Sequence, residues 1–223
     1  NTQEKEIIFK KLLELGVQGI EVGFSGASDM DFEACKYLAD IAPKDVVISG
    51  LARAVKNDID KVAQAIKHAP KPRIHTFIAM NPLGLEYVLK KPIKEVKKIA
   101  IEAVSYAKSV LPSHGEVQFT VEHFGDCREN LDEVIDAVQD VIKAGATIIN
   151  LPNTVERFRP MQYIDMVRKM RDSIPENIII GVHCHNDLGM ASATTVESYF
   201  AGANQLECCL NGLGERAGNT NMY

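Results

Sequence analysis

The sequence predicts an α/β protein of the (β/α)8 TIM-barrel class, in which parallel strands alternate with helices. Short apolar runs recur about every 30 residues, the length of one strand–helix unit. The segments between them carry apolar residues at helical spacing, and this alternation is typical of a parallel sheet with helices outside it. In several strands every second residue is polar, so that one face of the strand is polar. That pattern favours a barrel interior over an open sheet whose two faces both meet helices.

Seven segments read as strands, at residues 17–24, 45–52, 73–80, 116–124, 146–154, 177–185 and 204–212. Helical periodicity marks residues 3–15, 92–110, 130–145 and 160–172. Seven strands are one short of a closed barrel and the chain begins with a helix, so strands 2 to 8 are expected here and the first strand upstream of Asn1. No linker or low-complexity tract interrupts the sequence, which predicts a single catalytic domain over residues 1–223.

Polar residues share one face of three of these strands. The strand at 204–212 is expected to pair Glu207 with Asn211, and the strand at 146–154 brings Asn150 and Thr154 together near its end. The strand at 116–124 places four polar residues on one face, namely Glu116, Gln118, Thr120 and Glu122. Polar groups inside a sheet cost free energy unless they are satisfied, so this interior is expected to hold a polar site.

The composition limits the possible partners and the compartment. The 223 residues carry a net charge of −5, which argues against a nucleic-acid surface, and no run of Lys or Arg suggests an anionic membrane. No apolar stretch reaches the length of a membrane-spanning helix. The five cysteines form no C-x-x-C pair and are odd in number, which predicts reduced thiols in a cytoplasmic protein.

The stretch GVHCHNDLG, at residues 181–189, carries the strongest chemical signal. His183 and His185 are two apart at the end of an apolar strand, so both imidazoles leave from the same face. A divalent metal ion is the simplest ligand that takes two such nitrogen donors, although two hydrogen-bonded interior histidines would give the same spacing. Asp187 would then either orient a ring nitrogen or form a salt bridge.

The glycine-rich stretch NGLGERAGN, at residues 211–219, follows the last predicted strand. Three glycines in seven residues indicate a backbone held close to a ligand, or an ordinary flexible loop. The stretch also carries Glu215, Arg216 and Asn219, at the strand end where they can face the histidines.

Together, HCHNDLGMA and NGLGERAGN resemble the metal-dependent acyl-CoA Claisen-condensing enzymes, the branch typified by 2-isopropylmalate synthase. The segments at residues 50–79 and 149–155 are similar to the same family, so the resemblance covers essentially the whole chain. It implies that His183 and His185 bind one divalent ion (Mn, Mg or Zn), and that Asn219 completes or supports the shell. It also implies catalytic and substrate-binding roles for His75 and Glu122 in an oxoacid pocket, lined further by Asn150 and Thr154.

The implied reaction condenses acetyl-CoA with 2-oxoisovalerate to give 2-isopropylmalate and CoA, a step of leucine biosynthesis. One cation can chelate the oxoacid carboxylate and ketone together and polarise the ketone. The family's strand-1 motif, with a ligand aspartate and a catalytic arginine, and its C-terminal domains are not found in the sequence. The resemblance implies a homodimer for full-length members.

Alternatives remain open for the function and for single residues. Citramalate synthase would take pyruvate and homocitrate synthase another oxoacid, while IHTFIA at residues 74–79 favours the first assignment. A non-catalytic barrel fragment is the rival from another class. His75 and Glu122 could equally be buried, partnered core residues, and Thr154 could be a strand-end cap. Arg53 is expected to be an ion-pair residue.

Overall fold

Strands and helices alternate along the whole chain in the computed structural model, which describes residues 1–223. The strands are β1 (Gly19–Glu21), β2 (Val47–Arg53), β3 (Pro72–Ala79), β4 (Glu116–Glu122), β5 (Ile148–Asn153), β6 (Ile179–Cys184) and β7 (Gln205–Glu207). The α-helices are α1 (Thr2–Glu14), α2 (Asp29–Asp40), α3 (Lys56–Ile66), α4 (Ile93–Val110), α5 (Leu131–Lys143), α6 (Pro160–Ser173) and α7 (Ala191–Phe200). A π-helical segment covers Gly84–Leu89, and short 3₁₀ segments cover Phe124–Asp126 and Leu210–Gly212.

The seven strands form one sheet whose spatial order follows the sequence, β1 to β7. Strand β2 pairs in parallel with β1 and β3, and β6 pairs in parallel with β5 and β7. Parallel neighbours joined through a helix bring their carboxyl ends to one edge of the sheet. The predicted parallel α/β architecture is therefore confirmed, and the strand ends that carry the predicted site lie along that edge.

Two compact groups of residues can be distinguished in the chain. The first comprises Asn1–Phe77, Ala100–Gln118 and Ala144–Ala146, and the second comprises Ile78–Ile99, Phe119–Lys143 and Thr147–Tyr223. In the first, α3 packs closely on β2 because Gly50 has no side chain; a Cβ there would lie 2.7 Å from a methyl group of Val62. In the second, the Phe124 and Tyr163 rings pack edge to face, with centroids 6.1 Å apart, and Tyr163 donates a hydrogen bond to the Leu151 carbonyl.

All seven strand predictions overlap an observed strand, but the last one is wrong over most of its length. β7 ends at Glu207, and Asn211 has a φ of 56°, which a strand cannot accommodate. The expected pairing of Glu207 with Asn211 is therefore also wrong. Glu207 lies instead beside His183 of the neighbouring strand. Helices α2, α3 and α7 were not among the helices predicted from periodicity.

The two central residues of the polar face of β4 are buried in the structure, while Glu116 and Glu122 at its ends are half-buried. Gln118 and Thr120 are 2% and 6% exposed, and Thr120 Oγ1 accepts a hydrogen bond from Asn150 Nδ2. The apolar parity of the same strand is buried as well, since Val117, Phe119 and Val121 are fully enclosed. Both parities are therefore inside the protein, as expected for a barrel-type strand with a polar interior. No helix of the chain combines the length and the apolarity needed to cross a bilayer.

Candidate metal centre and its surroundings

The two predicted histidines lie side by side at the end of β6. Their ring centroids are 5.0 Å apart and their planes are inclined at 69°. His183 is held by Glu207, because its Nδ1 lies 3.1 Å from Glu207 Oε2 across the β6–β7 register. A carboxylate that engages one ring nitrogen fixes the tautomer and leaves the other nitrogen for a ligand, which is the usual arrangement at metal-binding histidines.

The glycine-rich stretch reaches back to His185. Asn219 forms an antiparallel bridge with His185, and the Asn186 amide donates to the Gly218 carbonyl at 2.9 Å. The Asn219 side chain lies between Cys209 and Gly214: its Nδ2 donates to Cys209 Sγ at 3.3 Å. A Cβ on Gly214 would come within 2.5 Å of Asn219 Oδ1. The absence of a side chain at Gly214 is therefore what leaves room for this amide.

Two polar atoms at this place are buried and have no hydrogen-bond partner, namely His185 Nδ1 and Asn219 Oδ1. Burial, together with the charges of His183 and Arg216 and against those of Glu215 and Asp187, lowers the pKa of His185 to about 4, so the ring is neutral at pH 7. A neutral imidazole and an amide oxygen are both ligands that a divalent cation accepts. Burying such an atom without a partner costs roughly 1–3 kcal/mol of stability, and a cation that bound these atoms would remove that cost.

These groups are of types that a divalent ion binds, so His183, His185 and Asn219 fit as candidate donors for one. The structure contains no group of three or more His, Cys, Asp and Glu side chains arranged to hold one. Asn219 is not one of these four residue types, because its donor group is a side-chain amide. The sequence predicted these three residues as the metal site, and the structure brings His185 together with both His183 and Asn219.

Glu207 links the histidines to the predicted substrate residue Asn150. Asn150 Nδ2 donates to Thr120 Oγ1 at 3.1 Å and approaches Glu207 Oε2 at 3.4 Å, while its Oδ1 is buried and unpaired. Gln205 also donates to Glu207, at 3.0 Å. Sequence reasoning missed this role of Glu207, because the strand register that sets it opposite His183 could not be read from one sequence.

Arg216 and Asp187 form an ion pair that joins the loops after β6 and β7. Arg216 Nε and Nη2 donate to the two carboxylate oxygens of Asp187, at 2.7 and 3.1 Å. Arg216 Nη2 also donates to the Thr154 carbonyl at 2.6 Å, which adds the loop after β5. The ion pair holds the pKa of Asp187 at about 2. Of the two readings of Asp187 from sequence, the salt bridge is the one observed.

Glu122 is connected to Thr154 by the next residue in the chain, His123, whose backbone amide bonds to Thr154. Glu122 is half-buried at the end of β4, and burial raises its pKa; His123 opposes the rise and the Glu215 carboxylate adds to it. The Thr154 hydroxyl accepts a hydrogen bond from the His123 amide at 2.9 Å, so it does cap the strand end as one alternative held. The hydroxyl proton remains available to a ligand.

His75 belongs to the first compact group and is 6% exposed. Its Nδ1 lies 2.5 Å from Glu21 Oε2, and Ser49 Oγ is 3.5 Å from the same oxygen. Glu21 was not singled out from the sequence, although it and Ser49 stand opposite each other in the β1–β2 register. Arg53 pairs with the buried Asp58 at 2.6 Å, which confirms that it is an ion-pair residue.

Comparisons with known proteins identify the family of the chain. The family model described as HMGL-like matches residues 1–223. The chain belongs to the HMGL-like family. It is 56% identical over 224 aligned residues to 2-isopropylmalate synthase 2 of Leptospira interrogans, covering 100% of this chain and 52% of that protein. It is 42% identical to 2-isopropylmalate synthase of Pyrococcus abyssi, covering 97% of this chain and 44% of that protein. The chain thus spans about half the length of the curated relatives it matches.

The fold of this HMGL-like chain is shared with solved structures. The hydroxymethylglutaryl-CoA lyase of Pseudomonas aeruginosa matches with a TM-score of 0.80 and 14% identity, covering 100% of this chain and 76% of that chain. At that identity the likeness concerns the fold, and it confirms the predicted barrel-type α/β class.

Proposed function

We propose that this chain carries the metal centre of a 2-isopropylmalate synthase, which condenses acetyl-CoA with 2-oxoisovalerate. The observation that supports the proposal is that the His183 and His185 rings are neighbours and that the backbone of Asn219 bridges to His185, with His185 Nδ1 and Asn219 Oδ1 buried and unpaired. The identity of 56% to a named synthase over the whole chain supports the same reaction. We also propose that residues 1–223 work as one catalytic domain, that the full-length enzyme is a homodimer, and that it is cytoplasmic.

In this proposal His183, His185 and Asn219 hold one divalent ion, Mn, Mg or Zn. When bound, such an ion supplies Lewis acidity, polarising the ketone of an oxoacid and neutralising its carboxylate. Glu207 keeps the His183 ring in one tautomer through Nδ1. The neutral state of His185 keeps its lone pair available without competition from a proton.

The remaining polar groups bind the oxoacid and handle protons. Thr154 has its oxygen engaged by the His123 amide, so its hydroxyl can donate to a substrate carboxylate. Asn150 offers its unpaired Oδ1 to a donor on the ligand. Glu122 has a raised pKa, which suits a carboxyl group that takes up and releases a proton. For His75 we propose proton handling as well, with Glu21 fixing the imidazole through Nδ1.

The test is to assay the full-length gene product with Mn²⁺ by thiol release from acetyl-CoA, with mass detection of the oxoacid product. A pocket that accepts an isopropyl group instead of a methyl group buries two more carbons, worth ~1.6 kcal/mol at ~0.8 kcal/mol each. Turnover with 2-oxoisovalerate should therefore exceed turnover with pyruvate by roughly 15-fold at equal low concentration.

Each alternative predicts a different result. Faster release with pyruvate would make the protein a citramalate synthase. No release with any oxoacid, in a protein that binds Mn²⁺, would favour the non-catalytic reading. The Asn219→Ala variant should lose most of the activity, whereas Gly19→Ala should keep it, because a Cβ at Gly19 makes only ordinary contacts, 3.6 Å from Val47.

A further inference from the structure

We propose that Arg216 is a positioning residue, which holds the glycine-rich stretch 211–219 in the conformation that brings Asn219 to His185. It acts through two partners, the Asp187 carboxylate and the Thr154 carbonyl. The part that concerns metal affinity rests on the proposed metal centre. Arg216 itself has no role as a ligand in this scheme.

The geometry of the Arg216–Asp187 pair is the kind that fixes a position. Two parallel N–H···O bonds, at 2.7 and 3.1 Å, define the orientation of a planar guanidinium as well as its distance. The third bond, from Nη2 to the Thr154 carbonyl, prevents the pair from swinging as a unit. One side chain therefore ties together the loops that follow β5, β6 and β7.

The partners of Arg216 are themselves anchored. Asp187 Oδ2 also accepts the Glu156 amide at 3.1 Å. The buried Glu156 in turn accepts the Leu188 amide at 2.7 Å, through its side chain. These bonds fix the loops after β5 and β6 without any help from the glycine-rich stretch. Arg216 therefore holds a stretch rich in glycine to a support that is already fixed.

The backbone at Arg216 gives an independent indication that its position is imposed. Its φ is 55°, in the left-handed region that is uncommon for residues other than glycine, asparagine and aspartate. Residues other than glycine remain there only when surrounding contacts determine the conformation. The contacts at Arg216 are its side-chain bonds to Asp187 and Thr154, together with the backbone bond from the Gly218 amide to the Glu215 carbonyl at 2.9 Å that closes the turn around it.

The consequence falls on Asn219, three residues further along. Its amide donates to the Gly212 carbonyl at 2.9 Å, and the neighbouring Gly218 carbonyl accepts from the Asn186 amide. If the Arg216 side chain no longer made its bonds, residues 213–217, which lie just before these two backbone bonds, would be less restrained. Asn219 and His185 would then be held together by backbone bonds alone, such as the one from the Thr220 amide to the Cys184 carbonyl at 3.0 Å, so their relation would loosen although neither residue had been changed.

The test combines backbone exchange with metal affinity in the wild-type protein, four single variants and one double variant. Arg216→Asn removes the side chain but tolerates the left-handed backbone, so any loss cannot be assigned to strain. Arg216→Lys keeps the charge without the paired bonds, and Asp187→Asn removes the partner. Arg168→Gln is the matched control, since it removes an arginine from an exposed ion pair with Asp165 on α6.

Hydrogen exchange of the Asn186 and Asn219 amides is measured by NMR without metal, and Mn²⁺ affinity by calorimetry. We expect Arg216→Asn to speed exchange at both amides about 10-fold or more and to weaken Mn²⁺ binding about 10-fold, with Arg216→Lys intermediate. Exchange in β5 and β6 should be unchanged. The double variant Arg216→Asn/Asp187→Asn should be no worse than the more damaged single variant.

Unchanged exchange at both amides in Arg216→Asn, within twofold, would overturn the inference. Equal losses in the Arg168→Gln control would overturn it too, because the effect would then be one of general charge. If the wild-type protein binds no Mn²⁺, the proposed metal centre is wrong, and the exchange data alone decide the role of Arg216.

Discussion

Replacing Gly214 by alanine should weaken metal binding while leaving the fold intact. Alanine suits the backbone there, since Gly214 does not have a positive φ. The new Cβ would lie 2.5, 2.6 and 2.8 Å from Oδ1, Cγ and Nδ2 of Asn219. The whole terminal amide of Asn219 is therefore in the way, and no other side chain is among the nearest atoms.

The size of the effect follows from these distances. Ordinary contacts begin at 3.4 Å, so the amide has to retreat by about 0.6–0.9 Å. Metal–ligand distances tolerate only about ±0.2 Å, so a displaced Asn219 no longer serves as a donor. The expected loss of Mn²⁺ affinity is about 10- to 100-fold, or ~1.4–2.7 kcal/mol. The short side chain can swing aside, so the free energy of unfolding should change by less than about 1 kcal/mol.

The assay is calorimetric titration of Mn²⁺ into wild type, Gly214→Ala, Asn219→Ala and the double variant, with urea unfolding of each metal-free protein. If the clash acts through Asn219, the double variant binds as weakly as Asn219→Ala and no more weakly. Gly19→Ala, with a normal 3.6 Å contact, should match wild type. Wild-type affinity in Gly214→Ala would refute Asn219 as a metal donor.

Three further predictions concern the ligands, the core and the surface. His183→Ala and His185→Ala should each lower Mn²⁺ affinity at least about 10-fold in the same titration, and wild-type affinity in both variants would remove the metal centre. Phe119→Ala, at a fully buried position, should cost about 3–5 kcal/mol in urea unfolding, against less than about 0.5 kcal/mol for Phe200→Ala, whose ring is 74% exposed. Lys143 and Lys97 lower the pKa of Asp140 to about 2 from 3.8, so its stabilisation is present above pH 3.8 and lost as the pH falls toward 2; Asp140→Asn should unfold with a weaker acid dependence over that interval.

The strands could be predicted because their apolar runs are short, regular and separated by turn residues. Helix α7 could not, because the residues it buries include Thr194, Thr195 and Ser198, which give no apolar periodicity. The overextended last strand had a warning in the sequence, since Asn211–Gly212 is a turn dipeptide and Asn211 adopts a positive φ. Upstream strand 1 and the C-terminal domains expected from the resemblance stay predictions.

The site was predictable where it depended on spacing within one strand. His183 and His185 follow from the two-residue period, and the structure places their rings 5.0 Å apart. The residues that support them were missed because they come from neighbouring strands and loops. Glu207 reaches His183, and Glu21 reaches His75, only through the register between parallel strands, to which a single sequence gives no access.

The polarity of the unpaired atoms indicates what kind of ligand the site is built for. The side-chain amides of Asn150 and Asn219 each have the nitrogen engaged and the oxygen buried without a partner. His185 Nδ1, on a neutral ring, is buried and unpaired as well. An anion would need hydrogen-bond donors and water a mixture of donors and acceptors, whereas the two amide oxygens offer only lone pairs and the neutral His185 ring offers one on the nitrogen that carries no proton. Replacing imperfectly paired buried polar side chains by apolar ones of similar shape often leaves stability unchanged or raises it. A fold selected for stability alone would therefore place apolar side chains at such positions. The divalent cation proposed for this site, together with the proton donors of its substrate, would satisfy these atoms.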